Sequence, residues 1–179
     1  LGFTFSVLNP DPNGAPVDFP GVGDELGRSI NLLLKTKAGK TVQFLAEKGA
    51  KFANTSEWKW AQKLLDEGNN VRLMKDIQSN KVRNADLFVN GAKTEIKELS
   101  NMTVGVNFVR NLVNKFKDAV EQAPNVIIDG TNQKGFTLEI AQEAMNDLKR
   151  KGVKRDVTFR IVVNGFDYRE TIKAKENTQ

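Results

Sequence analysis

The chain of 179 residues contains no cysteine and no histidine. Without cysteine there is no disulfide frame, no thiolate nucleophile, no zinc finger and no iron–sulfur centre. Without histidine there is no Ser-His-Asp triad, no imidazole-ligated metal and no paired-imidazole acid–base chemistry. Long apolar runs are missing too. The candidate stretches, residues 30–34 and 126–128, fall far short of the roughly 20 residues that span a bilayer, so no membrane span is expected. No signal-peptide pattern is visible. What remains for chemistry is carboxylates, lysines, hydroxyls, backbone groups and a hard cation.

The composition, 39% hydrophobic and 27% charged, is that of a globular protein of one domain, or one domain plus a small appendage. The net charge of +5 is unevenly spread. Residues 1–27 hold Asp11, Asp18, Asp24 and Glu25 and no Lys or Arg, which leaves the rest of the chain nine positive charges in excess. A basic body favours a polyanionic partner, although a solvated basic surface explains it equally. A first residue of Leu1 rather than Met suggests a piece of a longer polypeptide.

Pro10, Pro12, Pro16 and Pro20 lie among Gly14, Gly21 and Gly23, which predicts an extended N-terminal arm. The Gly21-Val22-Gly23 and Gly27 spacing lacks the strand and the Gly-Lys-Ser/Thr ending of a nucleotide loop. A short helix is expected over 24–35 and a strand over 41–45. Ser56 is placed to cap a helix over 56–67, with Trp58, Ala61, Leu64 and Leu65 as its apolar stripe and Gly68 as its stop. Strands follow over 71–74, 85–89 and 94–99, the last two flanking Asn90-Gly91, a strong hairpin-turn signal. Val109, Leu112, Val113, Phe116, Ala119 and Val120 lie on one face of a helix over 104–121, which Pro124 ends. A strand over 126–129, a helix capped by Thr137 and running to about Lys151, and a strand over 157–163 complete the order. This predicts an α/β fold with a mixed central sheet, an Asn-Gly hairpin and flanking helices on both faces. Residues 1–50 read as an arm and junction segment, 51–172 as the working domain, and 173–179 as a frayed tail.

The hairpin register can be derived. A two-residue turn at Asn90-Gly91 pairs Val89 with Ala92, Phe88 with Lys93, Leu87 with Thr94 and Asp86 with Glu95. Opposed side chains share a face, and two carboxylates so placed repel. Lys97 shares that face, while Ile96 points the other way with Leu87 and Val89. A divalent cation offsets the repulsion. Mg²⁺ takes oxygen ligands and is commonly held by one or two carboxylates with water and phosphate. It also lowers the pKa of a bound water and polarises a phosphate. Lys97 would then stand beside the attacking water and the non-bridging oxygen. The pattern points to phosphodiester hydrolysis, and an inert surface salt-bridge cluster uses the same residue types. Glu57 sits at the start of its helix's buried stripe, where a carboxylate is costly unless paired or metal-bound; a helix N-terminus also welcomes negative charge.

The run Glu57-x3-Ala61-x2-Leu64-x3-Gly68-x2-Val71, then Ala85-Asp86-Leu87-Phe88-Val89-Asn90-Gly91, then Glu95-Ile96-Lys97, resembles the PD-(D/E)xK nuclease superfamily. More narrowly it resembles the nuclease domains at the C-termini of contact-dependent growth inhibition CdiA proteins and related polymorphic toxins. The likeness covers roughly residues 50–165. Ala85 stands where the superfamily often has Pro. The resemblance implies a restriction-endonuclease-like fold in which Glu57, Asp86 and Glu95 gather around Mg²⁺ and Lys97 activates water. It also implies a nuclease toxin delivered as part of a larger secreted or cell-surface protein, acting in a neighbour's cytoplasm and neutralised by a cognate immunity protein. The closing strand–helix–strand is closest to the tRNA-cleaving group, which favours tRNA over DNA.

Ser100 and Asn101, just after Lys97, and Lys115 are candidate substrate contacts. Arg110, Lys117, Lys134, Lys149 and Arg150 join Lys115 as cations for a nucleic-acid backbone, or form solvated helix faces. The competing assignments are a DNA-cleaving toxin, a DNA-processing nuclease, and a nucleic-acid-binding module without catalysis.

Overall fold

A computed structural model of the chain describes residues 6–7, 26–74, 87–163 and 165–175. The protein is mixed α/β and divides into two compact units, Leu1–Lys93 and Thr94–Gln179. Of the expected N-terminal arm, only Ser6–Val7 and the residues from Leu26 onward are described; the proline-bearing stretch lies outside the described residues.

The first unit contains β1 (Ser6–Val7), β2 (Ile30–Lys35), β3 (Thr41–Ala46), α1 (Thr55–Asp66), β4 (Val71–Leu73) and β5 (Leu87–Val89). Its strands lie in chain order, all neighbours antiparallel except the parallel pair β3 and β4 that α1 connects. The helix expected over 24–35 is corrected to a strand over its second half. Leu32 and Leu34 are buried and alternate with exposed Asn31, Leu33 and Lys35, a two-residue period that one helix face cannot hide but β3 matches residue for residue. The turn between them closes on Thr36, whose Oγ1 accepts from Lys40 N at 3.1 Å.

Two details of α1 also differ from expectation. Its cap is Asn54 rather than Ser56: Asn54 Oδ1 accepts from Glu57 N at 2.9 Å. An amide oxygen three residues before a Glu makes a capping pair, and that geometry outcompetes a serine already inside the first turn. The buried tryptophan is Trp60, beside Ala61, Leu64 and Leu65, whereas Trp58 is half-buried. Gly68 stops the helix at φ 91°, as expected. The Asn90-Gly91 turn has φ 50° and 84°, both positive as a type I′ hairpin turn requires. Asn90 Nδ2 donates to Asn69 Oδ1 at 2.9 Å, and Asn90 Oδ1 accepts from Asn70 N at 2.9 Å, which ties the turn to the β4 end of the sheet.

The unit boundary falls inside β6 (Ala92–Glu98). There follow α2 (Phe108–Gln122), β7 (Asn125–Asp129), α3 (Leu138–Lys151), β8 (Val157–Val163) and β9 (Phe166–Ile172). Strands β6, β7 and β8 are parallel, and β9 returns antiparallel to β8. The second unit thus repeats a strand–helix–strand step. Both helices share one apolar core with Val126, Ile128, Phe159 and Ile161, and they touch each other. Helices on both faces were expected. Within this unit they lie on one face, because two crossovers advancing in the same direction place their helices on the same side. Phe116 of α2 meets Phe159 of β8 with ring centroids 5.5 Å apart.

Helix α2 begins four residues later than the apolar pattern predicts. Val106 is fully exposed and Val104 half-exposed, and Phe108 N bonds Gly105 O in a turn that precedes the helix. Helix α3 and its cap match the prediction, Thr137 Oγ1 accepting from Ile140 N at 3.3 Å. Strand β9 was not anticipated. The start of the expected tail is tied down: Asp156 accepts from Lys173 Nζ at 2.7 Å and from Ala174 N at 2.9 Å, and Lys175 Nζ donates to Arg150 O at 2.8 Å.

Candidate active site

Alternation along β6 decides where its chemistry points. Glu95 is the register partner of Val126 and Lys97 that of Ile128, so both face the side on which α2 and α3 pack. Ile96 faces the other side beside Ile127, and Arg160 continues that row on β8. The alternation is as expected, but the burial exceeds it. Glu95 is 1% exposed, and Thr94 and Ile96 on either side of it are buried as well.

Lys97 Nζ donates to Glu95 Oε1, forming an ion pair whose two halves sit differently. The lysine side chain is 31% exposed and the glutamate 1%, so the stem lies along the strand while the ammonium reaches the surface. A carboxylate taken this far out of water is strongly destabilising unless paired, and the neighbouring ammonium supplies that pairing. The arrangement therefore sets an inner anion behind an outer cation, a geometry able to receive an anionic oxygen from solvent.

Glu57 belongs to the first unit, where its carboxylate is built into the α1 cap. Oε2 accepts from Ala53 N at 2.8 Å and Oε1 from Asn54 Nδ2 at 2.9 Å. Its burial at 7% exposure agrees with the position predicted for it at the head of the apolar stripe. Asp86 lies outside the described residues. Ser100 and Asn101 are exposed in the loop leaving β6, Asn101 with φ 56°, and Lys115 is exposed on α2. Arg110, Lys117 and Lys134 are likewise exposed, whereas Lys149 pairs with Glu170 and Arg150 with Asp147. Among the described residues, no three acidic side chains gather as a metal cage. In kind, the donor present fits Mg²⁺: Glu95 offers hard carboxylate oxygens, and such ions need only one or two carboxylates from the protein.

The loop that carries Ser100 and Asn101 is held by residues that the sequence did not single out. Gln133, 4% exposed, pairs with Met102 as one strand pairs with another: Oε1 accepts from Met102 N at 2.8 Å and Nε2 donates to Met102 O at 2.9 Å. Asn132 Nδ2 donates to Glu98 Oε1 at 3.0 Å, and Leu99 N to Asp129 O at 2.7 Å. The β6–α2 and β7–α3 loops are thereby fastened together at the ends of their strands. On the opposite face of the sheet Arg160, also buried, donates from Nε to both carboxylate oxygens of Asp167, at 3.0 and 3.1 Å.

A further cluster lies on β9 and the last turn of α3. Tyr168 Oη donates to Glu170 Oε2 at 2.6 Å, and Lys149 Nζ pairs with Glu170 Oε1. Burial raises the Tyr168 phenol, and the hydrogen bond to Glu170 and that group's charge raise it further, to about 12. Burial pushes the Glu170 carboxyl up, but the hydrogen bonds from Lys149 and Tyr168 and the lysine's charge outweigh it and leave it below its usual range. Tyr168 is the chain's one tyrosine, so phenolate absorbance reads it directly. The expected midpoint is near pH 12 rather than 10, and Glu170→Gln should lower it; a midpoint at 10 in the parent would contradict the contact. A raised phenol stabilises the fold fully below pH 10, and that contribution is lost as pH rises from 10 to about 12.

Residues 83–167, just under half of the chain, match the family model described as Contact-dependent growth inhibition CdiA C-terminal domain. The match supports the contact-dependent growth inhibition toxin family. It spans Asp86, the Asn90-Gly91 turn, Glu95, Lys97 and both helices of the second unit, and it leaves out Glu57. No curated protein and no solved structure matches the chain. No helix among the described residues is long and apolar enough to cross a membrane.

Proposed function

We propose that the chain is a metal-dependent nuclease of the PD-(D/E)xK type, acting as the toxin portion of a contact-dependent growth inhibition system with tRNA as its favoured substrate. The observation that carries this reading is the Glu95–Lys97 pair, a buried carboxylate behind a surface ammonium, within the stretch that matches the CdiA C-terminal domain. A toxin of this kind implies an immunity protein in the cell that makes it, and action in the cytoplasm of the cell that receives it.

Asp86 and Glu95 are the residues proposed to hold Mg²⁺, with Glu57 as a further carboxylate. Held there, the ion would supply charge for the phosphate and acidity for a bound water. Lys97 binds the non-bridging phosphate oxygen through its ammonium. The pair with Glu95 fixes where that ammonium sits, so little reorganisation is needed when the phosphate arrives. Ser100 and Asn101, on the loop clamped by Gln133, are the groups proposed to donate to the nucleic-acid backbone, with Lys115 as a screened cation.

The test is incubation of the purified chain with total tRNA and with plasmid DNA, each with Mg²⁺ or EDTA. The expected result is cleavage of tRNA that requires Mg²⁺. Cleavage of plasmid alone would keep the nuclease and change its substrate, and salt-sensitive binding without product would replace the enzyme by a binding module.

A further inference from the structure

In an open α/β sheet, ligands collect beyond the carboxyl ends of the parallel strands. In the second unit that edge is formed by the loops after β6 and β7 and by the first residues of β9 beside the end of β8. The loops are joined there: Gln133 clamps Met102, and Val104 lies so close to Gly135 that a Cβ on the glycine would meet Val104 Cγ2 at 2.8 Å. Gly130 N bonds Val162 O at 2.8 Å and so links the second loop to the end of β8.

Three large apolar side chains are uncovered on this edge, Phe166 at 57%, Val104 at 53% and Val106 completely. Around them the loops are rich in amides and hydroxyls: Ser100, Asn101, Thr103, Asn107, Thr131 and Asn132 are all exposed. Residues 99–107 and 130–137 contain no carboxylate, while Lys134 and, in the first turn of α2, Arg110 are exposed cations. The carboxylates that border the loops are each engaged, Glu98 by Asn132, Asp129 by Thr131 N and Asp167 by Arg160. A surface that combines an open aromatic ring, neutral donors and acceptors, and exposed cations beside such engaged carboxylates matches a ligand with flat apolar faces, polar edges and a negative backbone. A cavity of about 550 Å³ between the ends of α2 and α3 is less suited. Its Arg155 already donates to Val120 O at 2.7 Å, and Glu121 lines it.

We propose that this edge binds unpaired nucleotides, with Phe166 as a stacking platform for one base and the loop amides contacting neighbouring base edges. This deepens the nuclease reading and rests on it for the identity of the ligand as substrate. Phe166 follows the row of Tyr168, Ile161, Ile128 and Lys97 on the same face of the sheet, three strands from β6. Three strand spacings of about 4.8 Å put the ring roughly 15 Å from the Lys97 backbone. Unpaired rather than duplex RNA is the class indicated, because only splayed bases offer their faces to an aromatic side chain.

The experiment measures fluorescence anisotropy of a short unstructured RNA, and of the same RNA annealed to its complement, against the intact chain in EDTA. Phe166→Ala is expected to weaken single-strand binding by roughly 5- to 150-fold, the range for loss of one stacked base. Phe166→Trp should restore it, Phe166→Leu should not, and the duplex should bind more weakly and ignore all three. Thermal melting checks folding, which an exposed ring is not expected to affect. Single-strand affinity unchanged in Phe166→Ala, or equal loss in Phe166→Trp, overturns the proposal and assigns the patch to a protein partner. Because these arms need no cleavage, the two readings separate. Phe166-dependent binding without Mg²⁺-dependent cutting sinks the nuclease alone, and cutting with Phe166-independent binding sinks the platform alone.

Discussion

Lys97→Ala is expected to yield a folded protein whose cleavage of nucleic acid falls by roughly two to four orders of magnitude, the usual effect of losing one acid–base or charge-stabilising group. Folding should survive because the lysine side chain is 31% exposed, so water can replace the ammonium at Glu95 Oε1 when it is removed. Some stability is lost, since a carboxylate buried to 1% loses its cation, and melting temperature records that cost separately from activity. Two further substitutions separate chemistry from structure. Glu95→Gln keeps the shape and removes the charge, so it should abolish Mg²⁺-dependent activity while easing burial. Lys97→Arg keeps the charge but replaces a compact ammonium by a planar fork, and it should recover little. Full cleavage by a folded Lys97→Ala protein would remove the catalytic assignment and leave the pair as a structural salt bridge.

The α/β class and most of the elements were legible because their signals are local. Thr137 caps α3, Gly68 ends α1, Asn90-Gly91 makes its turn with both φ values positive, and β8 spans Val157–Val163 as expected. The misses came where two local signals competed. Leu32, Leu33 and Leu34 in succession suit either a helix or a strand, and only the facing strand β3 selects the pattern that leaves Leu33 out. Val104 and Val106 extended the apolar count of α2 backwards, but Gly105 lies between them and forms a turn with Phe108 instead. Strand β9 could have been found. Asn164-Gly165 is the same dipeptide as Asn90-Gly91, and the alternation from Phe166 to Ile172 follows it directly.

For the candidate site, period-2 alternation sufficed to put Glu95 and Lys97 on one face, because that follows from strand geometry alone. How deeply Glu95 is buried was not readable, since burial depends on which helices come to cover β6. Glu57 was read correctly as a buried carboxylate at a helix start. Its pairing with Asn54 depends on a cap two residues earlier than the one expected. Gln133 carried no signal at all. A glutamine in a loop is ordinary, and its importance arises only because the chain brings Met102 within reach of both ends of its amide.

Gly130→Ala is the substitution expected to cost most in stability. A Cβ at Gly130 would lie 2.1 Å from Phe136 Cδ1 and 2.4 Å from Cε1, inside any permissible contact. The ring has nowhere to go: Phe136 is 0% exposed and belongs to the core that α2 and α3 share with the sheet. Overpacking of this kind costs typically 1–3 kcal/mol, and the completely buried ring argues for about 3. At about 2–4 °C per kcal/mol for a chain of this size, melting should fall by roughly 6–12 °C. The steric origin can be isolated in urea unfolding with Phe136→Leu as the second arm of a cycle. Leucine removes the ring atoms that collide, so Gly130→Ala should cost under about 1 kcal/mol in that background, a coupling of roughly 2 kcal/mol. Strictly additive costs would instead place the requirement for glycine in the backbone, where Gly130 N is bonded to Val162 O. The same strain should reach the loop behind it, because Gln133 hangs from Gly130 O through its own N–H at 3.0 Å and holds Met102 with its side chain. In the alanine variant, amide exchange at Met102 should therefore accelerate more than exchange in the middle of β8.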